Sequence, residues 1–567
     1  MANGAAATAG GGKAKPRKTP AQASGKSSGR GKRKGNDKGA AGGMERSAAG
    51  GRNPWIIAVV ISIATFMEVL DTSIANVALR HIAGGLAASQ DESSWVLTSY
   101  LVSNAVILPV SGWLSSVIGR KRFYMMSVAL FTVSSLGCAL STSLGMLIGF
   151  RVLQGLGGGG LAPSEQSMLA DSFPPAKRGL AFAVYGVAVI VAPTIGPTLG
   201  GWITDHSSWH WIFLINIPVG IASLLLVQWL VHEPAVLEKE RKALVRNGIK
   251  VDYIGFALVA LWLGCLEVVL DRGQIDDWFS SPFIVVFSIL SALALILLIP
   301  WELLRKDPIF DVGLIFRRQF GTSCFVMLAV GMILFGSTQF IPQLLQENYG
   351  YNATWSGLAL MPGGVVMLFL VMLAGRLTSV IQPKYLITFG MAVIALSLYH
   401  MAHLTPEANY STFAWARIYQ TIGLPFIFIP ITAASYDGLP PEKTGQAASL
   451  INVARNLGGS IGISMATTVL DRREQFHQSR LSEHIASTSL TYQNTLNAMT
   501  SYFNHQPGGA GDANSRAIAL IGQTVQTQAS LLSYFDVFMM LGVIAAIASV
   551  LTLIVMRHVD MNKSHAG

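Results

Sequence analysis

Charge is what this chain has least of. Only 12% of its 567 residues are Asp, Glu, Lys or Arg, about half the ~25% of a soluble domain. With 51% apolar residues and a mean hydropathy of +0.48, an ordinary soluble protein is excluded. The composition fits an all-α polytopic membrane protein. Cysteine is nearly absent too. Cys138, Cys265 and Cys324 stand singly in apolar runs, which excludes a disulfide framework or a thiolate metal site and leaves them as packing residues. There is no H-E-x-x-H, no G-x-S-x-G and no appended soluble catalytic domain, so a transporter is expected rather than an enzyme. "GKSS" at 25–28 is no phosphate loop, because its leading glycine would fall on Pro20. An ion gradient is therefore the expected energy source, with no cofactor, no metal and no nucleic-acid partner.

The net charge of +10 misleads. Residues 1–52 hold twelve Lys or Arg against Asp37 and Glu45, and the rest of the chain is neutral. This Gly-, Ala-, Ser- and Lys-rich stretch is expected to be a disordered basic cytoplasmic tail. It is read as a tether to anionic lipid, a passive topogenic tail, or sequence upstream of a start at Met44. No cleavable signal is expected, because the first apolar run lies far from the N-terminus and is long enough to span.

Fourteen spans are predicted: 55–79, 95–117, 123–142, 144–170, 179–203, 211–231, 253–270, 282–303, 320–345, 355–375, 385–404, 412–436, 445–469 and 534–556. Basic residues collect in alternate loops, "GRKR" at 119–122, "AKRG" at 176–179, "KERKALVRNGIK" at 239–250 and "RKDPIFDVGLIFRR" at 305–318. The positive-inside rule then puts both termini in the cytoplasm. Residues 471–533 are the exception among the opposite loops. Two helical stretches flank the turn-rich "NHQPGGAGD" at 504–512, which predicts a periplasmic helical hairpin.

Two ionisable residues stand inside apolar runs. Asp71 is nine residues before Arg80, and Arg151 is eight after Ser143, so both sit roughly 12–14 Å deep in a ~30 Å hydrocarbon core. Charges at that depth persist where they pair, line a watery cavity or carry protons. A proton-switchable Asp71–Arg151 pair is the expectation, with structural hydrogen bonding of each to backbone as the rival. Glu68 is three positions before Asp71, on nearly the same face. Two acids so close make their proton affinities interdependent, and contact with a cationic substrate is the other use open to Glu68. Glu165 lies near the cytoplasmic end of its span and is expected to snorkel. Arg455 is a candidate for a cavity.

Several motifs now resemble those of a known family. "LDTSIANVAL" (70–79), "LIGFRVLQGLGGG" (147–159), "APTIGPTLGGWI" (192–203), "WHWIFLINIPVG" (209–220), "LDRGQIDDWFSS" (270–281), "PQLLQENYGYNATWSGLA" (342–359) and "GLPPEKTG" (438–445) resemble the major facilitator superfamily. The branch they resemble is its fourteen-span drug:proton antiporters of the EmrB/QacA type, the EmrB side most closely. His210 stands where that pattern has Arg. The resemblance implies two six-helix bundles, 53–231 and 319–557, the second including the hairpin 471–533. A two-helix insertion at 232–318 would separate them, with a cytoplasmic tail at 558–567. It implies a bacterial inner-membrane exporter of hydrophobic or amphipathic toxic compounds, working with a periplasmic membrane-fusion adaptor and an outer-membrane channel. A narrow exporter of a metabolite, siderophore or fatty acid is the alternative.

By the same resemblance, Gly196, Pro197, Gly200 and Gly201 form an antiporter motif, a bend and tight contact expected to close the cytoplasmic route. Gly112, Gly119, Arg120 and Lys121 form a conformational loop motif. Ser116 and Val117 replace that motif's acid and base, so a cytoplasmic charge lock is expected to be missing. Asn76, Asn104, Gln154, Gln339, Gln343, Gln346, Tyr419, Gln420, Asn452 and Arg455 are candidates for the substrate cavity.

Overall fold

The computed structural model describes residues 53–231, 252–305, 311–436, 439, 443–483, 485, 489–505 and 512–558. The basic tail 1–52, the linker 232–251 and the end 559–567 lie outside the described residues, as does most of the "NHQPGGAGD" turn.

All fourteen predicted spans are helical, two of them as broken pairs, and Leu490–Asn504 is helical outside any span. Seventeen longer helices stand among the described residues. They are α1 (Pro54–Gly85), α2 (Trp95–Ile118), α3 (Arg120–Ala139), α4 (Leu144–Gly158), α5 (Leu161–Ser172), α6 (Pro175–His206), α7 (Asn216–Leu230), α8 (Tyr253–Arg272), α9 (Pro282–Leu304), α10 (Arg318–Glu347), α11 (Met361–Leu377), α12 (Pro383–Met401), α13 (Tyr410–Gly423), α14 (Pro425–Ser435), α15 (Thr444–Glu483), α16 (Leu490–Asn504) and α17 (Ala513–Val555). Local chemistry sets several starts: the side chains of Asn53, Ser143, Asp252, Asn352 and Asn409 each accept a backbone N–H of the turn they open.

Twelve described helices are long and apolar enough to cross a membrane. A thirteenth is α6, whose segments Lys177–Pro193 and Ile195–His206 meet at 41°, as prolines 193 and 197 inside a helix lead one to expect. α15 is long enough but too polar. It is the helix turned inward, packed on α10, α2, α5 and α17, and its Asn452 and Arg455 are buried against protein. The fourth span of each half is broken: α4 and α5 meet at Gly159–Gly160, and α13 and α14 at Leu424.

The packing repeats. α1 lies along α6 as α10 lies along α15, first helix against fifth in each half. α8 and α9 pair with each other, and α8 leans on α2 and, less closely, on α15. The outward side of α9 carries exposed Val286, Ile289, Leu293, Ile296 and Leu297, the composition of a lipid-facing surface.

The halves meet at both ends. At the end bearing the basic loops, Ser111 and Ser449 hydroxyls are 3.0 Å apart, and a Cβ on Gly112 would sit 2.6 Å from the Gly445 carbonyl oxygen. There too Gly179 of α6 faces Gly375 of α11. At the opposite end Thr198 of α6 packs on Gly357.

Two helices overshoot the bilayer. α15 and α17 have 40 and 43 residues, about 60 Å each, against a ~30 Å core. Their polar halves project at the end opposite the basic loops. The predicted first arm of the hairpin is not continuous: α15 ends at Glu483, and α16, which packs on α17, starts only at Leu490.

Because Gly112 seals the basic-loop end, Gly112→Val should wedge the halves apart there. Expected is at least a tenfold faster alkylation of a single cysteine placed at the buried position 448, with no change for one placed at 198.

Candidate functional site

Asp71 and Arg151 meet. The Arg151 Nη1 donates to Asp71 Oδ2 at 2.6 Å and to Gln154 Oε1 at 2.9 Å, while its Nε donates to the Val96 carbonyl at 3.2 Å. The other Asp71 oxygen accepts from Asn216 Nδ2 at 2.6 Å and from Gln154 Nε2 at 3.2 Å. Ser135 closes the ring, accepting from Asn216 and Gln154. Arg151 is sandwiched between the Tyr100 and Phe213 rings, each about 5.1 Å away. Helices α1, α2, α3, α4 and α7 thus converge on one carboxylate. Asp71 is 2% exposed and Arg151 0%, so the pair survives only because its geometry and hydrogen bonds offset desolvation.

Close packing places these groups. α4 lies so near α2 that a Cβ on Gly155 would overlap Ser103 and the Tyr100 carbonyl. The backbone of Gly119 has φ +102°, a conformation that favours glycine, and turns α2 into α3.

Tyr100 links this cage to a second carboxylate. Its hydroxyl donates to Glu68 Oε1 at 3.2 Å, and Asn104 Nδ2 donates to the same oxygen at 3.3 Å. Glu68 Oε2 has no hydrogen-bond partner among the described residues. Asn104 then accepts from Asn456 of α15 at 3.3 Å, so the chain of contacts reaches the second half. A parallel crossing lies toward the basic-loop end. Asn452 donates to Gln166 at 3.0 Å, Tyr436 donates to Gln166 at 3.3 Å, and Arg455 donates to the Tyr185 hydroxyl at 2.9 Å.

Of the cavity candidates, Asn104, Gln154, Asn452 and Arg455 join these networks, and buried Gln420 holds Arg417. The others do not converge. Asn76 is exposed. Gln343 and Gln346 bond to Glu347 and the Pro342 carbonyl near the end of α10, and Gln339 is half-buried. Tyr419 is 44% exposed beside Trp415 and His400, on the outward face of α13.

Two expectations are corrected. Glu165 does not snorkel: it is fully buried and accepts from Ser62 Oγ at 2.5 Å. Arg120 forms an ion pair with Asp171 in the last turn of α5, while Ser116, at the position of the loop motif's acid, bonds to the Trp113 carbonyl. Lys121 reaches the Gln228 carbonyl at 2.9 Å. The motif glycines 196 and 200 do make a tight contact, against Ser73 and Ile74 of α1. That contact, with Pro197 and Gly201 beside it, lies toward the end opposite the basic loops, not at the cytoplasmic route. Sequence reading missed Asn216, Ser135, Tyr185 and Gln166, ordinary polar residues with no signal of their own. It also missed Arg417, which the spacing Arg151-x-x-Gln154 repeated as Arg417-x-x-Gln420 would have found.

The profile of the Major Facilitator Superfamily matches residues 61–463. The multidrug export protein EmrB of Escherichia coli K12 is 38% identical over 487 residues, covering 86% of this chain and 92% of its own length. The fatty acid resistance protein FarB of Neisseria gonorrhoeae is 35% identical, covering 85% and 92%. Among solved structures the proton:xylose symporter XylE superposes with a TM-score of 0.55 at 14% identity, over 90% of this chain and 98% of that one, a likeness of fold.

Removing one member of a buried ion pair leaves the other uncompensated. Arg151→Ala should therefore cost about 3–5 kcal/mol, read as a lower unfolding midpoint in detergent. The double variant Arg151→Ala/Asp71→Asn should recover part of that loss.

Proposed function

This chain belongs to the major facilitator superfamily, and on that premise we propose that it is a proton-coupled multidrug antiporter. It is a multi-pass membrane transporter of the EmrB type rather than an enzyme, and its substrates are small hydrophobic or amphipathic compounds. The reading places it in a bacterial inner membrane with both termini cytoplasmic, in keeping with basic residues collected at one end of the helices. The alternative, a narrow exporter, draws support from the similarity to a fatty acid resistance protein.

The observation that carries proton coupling is the Asp71 cage. One carboxylate, buried at mid-membrane depth, takes three side-chain donors from α4 and α7. A proton on Asp71 removes the charge that holds Arg151, while Asn216 and Gln154 keep Ser135 as partner. Arg151 stacks on Tyr100, Tyr100 bonds Glu68, and Glu68 is bound by Asn104, which bonds Asn456 across the interface. Proton gain or loss at Asp71 and Glu68 therefore acts on contacts that hold the halves together. Substrate entering from the cytoplasmic side displaces the proton, the halves rock, and the proton is regained from the periplasm.

Asp71→Asn should abolish uphill dye export in everted vesicles while leaving the protein inserted and folded. Wild-type export in that variant would remove Asp71 from the coupling step. Glu68→Gln should be milder and should reduce export of cations more than of neutral compounds.

The projecting ends of α15, α16 and α17 are proposed to dock a periplasmic membrane-fusion adaptor, which in turn meets an outer-membrane channel. They form the one large feature among the described residues that overshoots the bilayer. Replacing 474–530 by a short Gly/Ser linker should preserve transport in vesicles and abolish resistance in whole cells. Full cellular resistance would argue against docking there.

A further inference from the structure

The second half carries its own buried arginine, in the same place as the first. Arg151 is the eighth residue of α4 and Arg417 the eighth of α13, the fourth span of each half. Each helix is capped by a side chain, Ser143 or Asn409. Each arginine donates through Nη1 to a glutamine three residues on, at 2.9 Å to Gln154 and 2.6 Å to Gln420. Both are essentially without exposure, 0% and 1%. At seven residues from the helix start, each lies about 10 Å along its helix.

The partners differ. Arg151 has Asp71 from the first helix of its half. Arg417 has Ser337 and Thr338 from α10, the first helix of its own half, at 3.3 Å and 3.2 Å. These are neutral hydroxyls. Among the described residues no carboxylate lies in ion-pair distance of Arg417, and its Nε has no hydrogen-bond partner. A guanidinium without a counter-charge inside the membrane is costly and marks a functional site by default. Thr338, which accepts from Arg417 Nη2, is itself only half-buried. Gly363 of α11 leaves the arginine room: a Cβ there would stand 2.9 Å from Thr421 and 3.1 Å from the Arg417 side chain.

We propose that Arg417, with Ser337 and Thr338, is an anion seat that binds the carboxylate of an amphipathic acid during transport. The substrate supplies the charge that Asp71 supplies in the first half. A planar guanidinium with a free Nε edge suits a carboxylate, which it can meet through two parallel hydrogen bonds. The hydroxyls are neutral, so they set no negative charge against it. The inference rests on the reading of the chain as an exporter of amphipathic compounds, and it assigns one chemical class among them to one residue.

The test measures binding, not flux, so a failure of the coupling scheme would not be mistaken for a failure of the seat. The wild-type protein in nanodiscs, corrected against empty nanodiscs, is titrated with laurate, methyl laurate and dodecyltrimethylammonium. Laurate should bind at least tenfold more tightly than its methyl ester. Arg417→Gln should remove that preference and leave dodecyltrimethylammonium binding unchanged. Should Arg417→Gln fail to fold, Ser337→Asp provides the second arm: it supplies an internal acid where the first half has one, keeps the arginine, and should abolish the laurate preference. Replacing chloride by gluconate should change nothing. Equal binding of laurate and its ester by the wild type, or a laurate preference retained in both variants, would overturn the proposal. So would a strong competition by chloride that Arg417→Gln removes, which would make the seat a site for an inorganic anion.

Discussion

A charge inside a membrane must be answered by another, and the interior of this protein is arranged around that constraint. Arg151 is wholly enclosed, and Asp71 neutralises it at 2.6 Å. Removing either charge alone would leave an ion in a medium that cannot solvate it. Asn216 and Gln154 donate to Asp71, and Arg151 donates to the Val96 carbonyl, so both partners gain further hydrogen bonds. Five helices are thereby fixed at one point. The close approach of α2 to α4, which glycines 155, 158 and 159 permit, brings Tyr100 and Val96 to the arginine.

The two halves keep a common scaffold and spend it differently. First helix packs on fifth in each, the fourth span is broken in each, and an arginine stands at the same register in each. Only the first half closes its charge internally. The interface between them combines polar contacts of Asn104, Asn456, Gln166 and Asn452 with stacking of Phe182 on Tyr436. Neutral amide and hydroxyl contacts of this kind are individually weak, so many can be exchanged for others without a large change in free energy. An interface that must open and close repeatedly needs that property more than it needs strength.

The fold was legible because apolar runs of membrane length admit few readings, and the alternating basic loops ordered them. Asp71 and Arg151 were legible for the opposite reason, as ionisable residues where hydrophobicity should have been unbroken. What failed was facing. Gln343, Gln346 and Tyr419 are polar residues in apolar helices, as Gln154 and Gln420 are, and composition does not say which side of the helix they occupy. Gln343 and Gln346 lie near the end of α10, where polar groups are tolerated cheaply, and Tyr419 turns outward beside Trp415 and His400. Glu165 misled in the same way: its nearness to a span end suggested escape to water, whereas α5 is packed on α1 and Ser62 meets it directly. The Arg120–Asp171 ion pair was hidden for another reason, its partners being distant in sequence and adjacent in space.

α15 has one further consequence. The stretch that carries Asn452, Arg455 and Asn456 into the interface continues without a break to Glu483, well past the hydrocarbon boundary. A continuous α-helix is stiff over such a length, so a small tilt at the interface becomes a larger sweep at its tip. The outer end of α15 is tied to α17, where Arg473 and His477 both reach Asp536, at 2.5 Å and 2.7 Å, so the two rods turn together. In the proposed rocking scheme, the projection would act as a pointer geared to the buried contacts. Anything resting on it would feel each turnover as a mechanical stroke, without touching a substrate or a proton.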